Sequence, residues 1–211
     1  MKKSYHTIGA LTTVAALGFI AGRLVTPVAS IAAPPPEGDQ EIDPHAEWAA
    51  VAANPGPHHE HLNALVGTWE AKVRFRMDPA ADWMESSGTV TREWVLDKRF
   101  LKEAVEATSP MGGGGTFQGL GYIGYDNAEG VYQSTWMENH STAIINEVGS
   151  YDPGTRMMTF RGAHRHPMTG RTVLVRSEVN MKDPNRHIFN GYAIAEDGRE
   201  YKSFEGTATR R

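Results

Sequence analysis

The 211-residue sequence contains no cysteine, which excludes disulfide bonds, thiol nucleophiles, thiolate metal centres and the acylated cysteine of a lipoprotein. It also lacks an excess of positive charge, because 21 lysines and arginines face 25 acidic residues and the formal net charge is −4. We therefore expect no nucleic-acid partner. With 40% hydrophobic and 22% charged residues, the composition is that of a globular protein with a substantial core.

Residues 1–32 have the composition of an export signal or a signal anchor. Two lysines near the start precede an uncharged, mostly apolar stretch at 8–22. Cleavage before Ala33 would remove the segment, whereas an uncleaved anchor would have to carry Arg23 within the bilayer, at a cost. Both alternatives place the remainder outside the cytoplasm. We expect a periplasmic or secreted protein that meets a membrane only through this segment, if it is not cleaved.

The rest of the chain divides into a linker and one domain. Residues 33–57 are rich in proline, glycine, alanine and acidic side chains, so we expect a disordered linker there. The predicted domain covers 58–211. It begins with one short helix over 60–66, where leucines recur at helical spacing, and Gly67 ends that helix.

From Gly67 onward the hydrophobic pattern has period two. In the segment 68–77 apolar residues such as Trp69 and Phe75 share one face, and charged residues share the other. Turn-forming residues recur at short intervals. We predict ten strands, near 68–77, 86–96, 100–108, 116–125, 130–137, 142–151, 156–164, 171–181, 186–195 and 200–210. The connections are too short for helical crossovers, which favours an all-β, antiparallel up-and-down β-barrel with room for side chains or one small ligand.

The opening of the first strand, Val66-Gly67-Thr68-Trp69, resembles the Gly-x-Trp signature of the lipocalin and fatty-acid-binding superfamily. The resemblance implies a barrel whose closed end is plugged by Gly67 and Trp69, with an arginine from a late strand packed over the indole. Arg210, at the end of the last strand, is the candidate for that arginine, through stacking and a cation–π contact.

A second resemblance extends over residues 58–211. Its blocks are His61-Leu62, Gly67-Thr68-Trp69-Glu70, Gly88-Thr89-Val90-Thr91-Arg92-Glu93-Trp94-Val95-Leu96, Gly119-Leu120-Gly121-Tyr122, Tyr125-Asp126-Asn127, Ser134-Thr135-Trp136-Met137, Tyr151-Asp152-Pro153 and Pro167-Met168-Thr169-Gly170. In this order they are similar to the bacterial family of unknown function numbered 1579. That resemblance implies a lipocalin-like barrel and no established reaction. Glu138 stands where the family pattern leads us to expect an aspartate.

Polar residues that share a face with apolar ones are candidates for the barrel lining. Arg92 lies in phase with Val90, and Glu103 lies in phase with Leu101. If these faces point inward, the two charges pair with each other or hold a ligand headgroup, and the alternative is an outward position near a rim. The complete candidate set, partly chosen on composition and neighbourhood alone, is Arg92, Trp94, Glu103, Tyr122, Trp136, Glu138 and Tyr192.

We predict no metal and no cofactor. His58, His59 and His61 are weak metal candidates, since imidazoles one helical turn apart can chelate zinc or copper, but a third ligand would be required. Haem-binding barrels of this kind need an inward-facing histidine, and the last strand has none. The glycine pattern at 119–124 is followed by a turn and a strand rather than a helix, so it does not indicate a dinucleotide site.

The sequence thus predicts an exported lipocalin-like barrel that binds a small, largely apolar ligand. One alternative is a structural or protein-interaction module held at a membrane by its N-terminal segment. Another is an enzyme that uses an interior Arg/Glu pair or a histidine metal site. Local spacing shows neither a Ser-His-Asp arrangement nor paired catalytic acids, so an enzyme is the less favoured interpretation.

Overall fold

A computed structural model describes residues 43–109, 115–166, 169–195 and 197–211, so the predicted signal at 1–32 lies outside the described residues. Ten antiparallel strands form a closed barrel in the described part, as predicted. The strands are β1 (Gly67–Phe75), β2 (Met84–Val95), β3 (Phe100–Thr108), β4 (Thr116–Asp126), β5 (Val131–Glu138), β6 (Ile145–Asp152), β7 (Met157–Arg165), β8 (Thr172–Asp183), β9 (Arg186–Ile194) and β10 (Glu200–Arg210).

Each strand pairs with its neighbour in the chain, and β1 pairs with β10 to close the barrel. The closing register places Trp69 opposite Arg210 and Phe75 opposite Phe204. Closure leaves no unpaired edge, which is the physical advantage expected of a meander of short strands. The strand prediction from period two is confirmed, because alternate side chains do point to opposite faces of one closed sheet.

Two short helical segments precede the barrel. In the first, α1 (Pro44–Trp48) is followed by a π-helical turn over Ala49–Ala53. The expectation of a disordered linker is therefore wrong for this part of 33–57. The Asp43 side chain accepts a hydrogen bond from the His45 amide (2.9 Å), and Pro44 takes the first helical position, so local capping supports the helix.

The second helical segment covers one end of the barrel. It comprises α2 (Pro57–Glu60) and a 3₁₀ turn over His61–Leu65, so the predicted single helix over 60–66 begins earlier and tightens at its end. Leu62 and Leu65 are fully buried there. They join a core formed with Leu101, Tyr132, Met158, Phe160 and Met181 from the strands. In the part of the chain that the structure describes, no helix is long and apolar enough to cross a membrane.

Trp69 closes this same end from inside the barrel. Its side chain is completely buried, and its indole Nε1 donates a hydrogen bond to the Leu65 carbonyl (2.9 Å). The guanidinium carbon of Arg210 lies 4.1 Å from the ring centroid. Arg210 also donates to the carbonyls of Val66 (2.7 Å) and Ala64 (3.2 Å), which ties the last strand to the helical cover. We call this end the closed end and the opposite end the mouth.

Candidate ligand-binding lumen

The inward-facing side chains fall into two groups by their exposure. Near the closed end they are fully buried, as Leu101 and Met158 show. In the half of the barrel toward the mouth, inward-facing residues are only half-buried, although they do not lie on the outer surface; they include Val73, Ala107, Phe117, Trp136, Glu147, His164, Val175 and Phe204. Partial exposure on an inward face requires a space that solvent can enter. We call this space the lumen.

The indole of Trp136 forms one wall of the lumen. It lies against the backbone of β4, where a Cβ at Gly119 would come within 2.3 Å of the ring and a Cβ at Gly121 within 3.0 Å. The absence of side chains at these two inward positions lets the ring lie close to the strand. Phe117 is stacked beside it, with ring centroids 6.5 Å apart and an angle of 22° between the ring planes.

A carboxyl group lies on the inner wall formed by β5 to β8. Glu147 accepts hydrogen bonds from the hydroxyl groups of Ser134 (3.3 Å) and Ser177 (3.3 Å). The Glu147 side chain passes over β7 at Gly162, where a Cβ would lie 2.9 Å from Glu147 Cγ. Burial raises the pKa of Glu147, and the two hydroxyl groups partly oppose that shift.

Arg92 and Glu103 form an ion pair on the inward faces of β2 and β3. The Arg92 side chain is only 4% exposed, and its guanidinium carbon lies 5.5 Å from the centroid of the Phe189 ring. Within the described residues, Nη1 of Arg92 has no hydrogen-bond partner. The pair therefore satisfies the charge of this arginine but not all of its donors.

His187 lies at the closed end of the barrel, next to Trp69. It is completely buried, and its ring is tilted by 33° against that of Trp69, with centroids 4.2 Å apart. Burial and the nearby charges of Arg92 and Arg210 lower the pKa of His187 to about 4. The imidazole is therefore neutral at physiological pH.

Comparison with protein families connects this geometry to a known group. The model of a family described as a protein of unknown function, DUF1579, matches residues 54–210. The chain belongs to the DUF1579 family. The match covers the second helical segment and all ten strands of the barrel. Among curated proteins, none matches this sequence significantly.

Solved structures show the same fold in distant proteins. Rv2717c from M. tuberculosis is 15% identical, with a TM-score of 0.57, and the match covers 75% of this chain and 99% of that one. The S-type phycobiliprotein lyase CPES from Guillardia theta is 11% identical, with a TM-score of 0.50, and the match covers 73% of this chain and 92% of that one. At these identities the similarity concerns architecture alone.

Two residues predicted to line the barrel lie on its outer face in this DUF1579 protein. Gly121 and Gly191 are the inward-facing residues of their strand segments, so Tyr122 and Tyr192 next to them point outward. The ring of Tyr192 packs beneath the guanidinium group of Arg176, 3.9 Å from its centroid. The prediction for both tyrosines is wrong because it followed composition instead of the phase of alternation.

The other predicted lining residues occupy inward positions at different heights. Trp94 lies at the closed end, where its indole donates to the Asn63 side chain (2.9 Å) and packs against the helical core. Arg92 and Glu103 lie above it, and Trp136 lies in the half of the lumen toward the mouth. Glu138 ends β5 at the mouth, where its carboxylate accepts a hydrogen bond from the His140 amide (2.5 Å).

The histidines considered as metal ligands instead attach the helical cover to the DUF1579 barrel. His58 stacks on Tyr125 with ring centroids 4.2 Å apart. The Tyr132 hydroxyl donates to the His58 carbonyl (2.8 Å), so Nδ1 of His61, 2.8 Å from the same hydroxyl, must be the donor in their contact. His59 is buried and accepts a hydrogen bond from the Gly56 amide (3.0 Å).

No group of three or more potential metal-ligating side chains occurs in the described ranges of the chain. Burial, reinforced by the neighbouring His58, lowers the pKa of both His59 and His61. These shifts fit rings held in an aromatic and aliphatic contact layer between the helical cover and the strands.

Sequence reasoning missed the polar group formed by Glu147, Ser134 and Ser177. A usable signal was present, because Ile145, Glu147 and Tyr151 alternate with polar or exposed residues along β6 in the same way as the strand of Glu103. The two serines could not be assigned to Glu147 from their own strands. They reach it only because the curved sheet brings β5 and β8 to either side of the carboxyl group.

Proposed function

We propose that this protein binds one small, largely apolar molecule in the lumen. The observation that carries the proposal is the half-buried state of the inward-facing residues toward the mouth. Apolar side chains such as Val73, Val175 and Phe204 provide most of that wall, and a few polar groups interrupt it. This composition is typical of small-molecule sites. A barrel filled by its own side chains would bury these residues as completely as those beneath the helical cover.

The comparison with solved structures supports the proposal only at the level of architecture. One protein with a similar barrel fold is named a phycobiliprotein lyase. The lumen of the present chain is enclosed by one closed sheet and plugged by Trp69 at one end.

The test is native mass spectrometry of the full-length protein purified from its own host under non-denaturing conditions. We expect a mass in excess of the polypeptide that is lost on denaturation. The variant Val175→Trp, whose larger side chain would fill part of the lumen, should abolish the extra mass. Leu174→Trp is the matched control, since the neighbouring Leu174 side chain is 57% exposed on the outer face. Equal loading of both variants would contradict binding in the lumen.

We also propose that the protein is exported through its N-terminal segment. The support is the sequence alone: a basic start, an apolar stretch at 8–22 and the small-x-small sequence Ser30-Ile31-Ala32 before Ala33. Cell fractionation should place the protein outside the cytoplasm, and N-terminal sequencing of the mature chain distinguishes cleavage from anchoring. Recovery of the intact chain from the cytosol would refute export.

A further inference from the structure

Carboxyl groups outnumber cations on the lumen wall. Among the described inward-facing strand residues, Glu103, Glu138 and Glu147 are acidic, and Arg92 is the one basic residue apart from Arg210 in the plug. Burial lowers the pKa of inward-facing His164, which favours the neutral form of this ring. Arg92 is already paired with Glu103. Among the described residues, the wall therefore has no cation that lacks a counter-ion.

Glu147 is a half-buried carboxyl group on this wall that has no counter-ion among the described residues. Its partners in the described part of the chain are the hydroxyl groups of Ser134 and Ser177, at 3.3 Å each, and no ion pair with Glu147 is present there. Two neutral donors leave about half of the roughly four lone-pair sites of a carboxylate unused. Removing such a group from water without an opposite charge is costly, and a cation supplied by a ligand would offset that cost.

Aromatic side chains face the same lumen from β5, the strand next to that of Glu147, and from β4 beyond it. Ser134 is the direct cross-strand partner of Glu147, and Trp136 is the next inward residue along the same strand. The indole is held against β4 and remains half-buried, with Phe117 stacked next to it. An indole attracts cations through its π-electrons. A carboxylate and an aromatic wall on adjacent strands of one lumen are complementary to an organic ammonium group.

Building on the proposed lumen-binding function, we infer that the ligand is an amphiphilic amine whose ammonium group pairs with Glu147 beside Trp136. Both carboxylate oxygens accept a hydrogen bond from a serine, and an ammonium group can donate to the lone pairs that remain on them. The serine hydroxyls fix the carboxylate in place, and the apolar part of the amine occupies the aliphatic wall. Burial raises the pKa of Glu147 in the empty barrel, and a bound ammonium group favours the ionised form again.

The experiment compares three probes that share one alkyl chain and differ only in headgroup: octylamine, octanol and octanoate. Binding to the full-length protein is measured by isothermal titration calorimetry at about pH 8, where the amine and octanoate are charged. We expect octylamine to bind at least tenfold more tightly than octanol, and octanoate to bind most weakly. In Glu147→Gln the preference for octylamine over octanol should disappear while octanol binding is retained.

Two further variants separate a local effect from a general one. Glu106→Gln removes a carboxylate from the exposed outer face of β3 and should leave the amine preference unchanged. Glu147→Asp keeps the charge and should retain part of the preference. If Glu147→Gln does not fold, the headgroup series on the unmodified protein still shows whether the lumen prefers an amine.

The outcomes distinguish this inference from the function on which it rests. Equal affinity for the three probes, or tightest binding of octanoate, overturns the amine assignment and leaves ligand binding in the lumen intact. An unchanged amine preference in Glu147→Gln also overturns it. Absence of binding for every probe counts against both proposals.

Discussion

Acid should destabilise this barrel through one buried imidazole, His187. Its pKa is lowered from 6.5 to about 4 in the folded chain, first by burial and then by the charges of Arg92 and Arg210. The unfolded chain therefore binds this proton at a higher pH than the folded chain. Above pH 6.5 this histidine is neutral in both states and does not reduce the free energy of unfolding. Between pH 6.5 and about 4 the free energy of unfolding falls by about 1.4 kcal/mol per pH unit. At about pH 5 the loss is roughly 2 kcal/mol.

The variant His187→Phe removes the titration and keeps an aromatic ring against Trp69. Neither ring nitrogen of His187 has a hydrogen-bond partner in the described part of the chain, so the substitution leaves no partner unsatisfied. We expect the free energy of unfolding near pH 8 to stay the same or to rise by about 1 kcal/mol. Near pH 5 the variant should be more stable than the unmodified protein by about 2 kcal/mol beyond any difference seen at pH 8.

Urea unfolding followed by circular dichroism, at both pH values and on both proteins, measures this difference. The other histidines with lowered pKa values, His59, His61 and His164, titrate in both proteins and cancel in the comparison. Parallel loss of stability in the two proteins between pH 8 and pH 5 would refute the reasoning. A loss of more than about 2 kcal/mol in the variant at pH 8 would show that the imidazole makes stabilising contacts beyond ring packing.

Substitutions at three other places test separate parts of the structure by urea unfolding. Breaking the buried ion pair with Arg92→Met or Glu103→Met alone should cost about 3–5 kcal/mol, and the double variant should cost less than the sum; additive losses would contradict their coupling. Gly119→Ala should destabilise by about 1–3 kcal/mol because its Cβ would lie 2.3 Å from the indole above it, whereas Gly56→Ala, with no atom within 4 Å, is the control. Arg210→Ala should cost about 2 kcal/mol or more through loss of carbonyl hydrogen bonds and the indole contact, and an unchanged midpoint would exclude a role in the plug.

The period-two alternation of apolar and polar residues was sufficient to predict most of the fold. The alternation that begins at Trp69 is local, since each residue's face is set by its own strand, and so ten strands could be recognised without knowledge of their partners. The same rule placed Arg92 and Glu103 in phase with apolar neighbours. It failed at Tyr122 and Tyr192, where glycines hold the inward positions and residue type was given more weight than phase.

Contacts that depend on curvature could not be predicted from one strand at a time. Ser177 reaches Glu147 across β7 only because Gly162 carries no side chain and the sheet bends there. The helix at Pro44–Trp48 was missed for another reason. Composition suggested disorder over 33–57, but capping by Asp43 and a run of alanines act over a shorter span than the window used to judge composition.

The pairing of Trp69 with Arg210 has a consequence for biosynthesis. A nascent chain that has left the ribosome up to β9 carries two open sheet edges and an indole without its covering guanidinium group. Such an intermediate can add strands from other molecules, so its lifetime sets the exposure to aggregation. The barrel closes only when β10 pairs with β1, so deletions that shorten β10 should be more damaging than their distance from the lumen suggests.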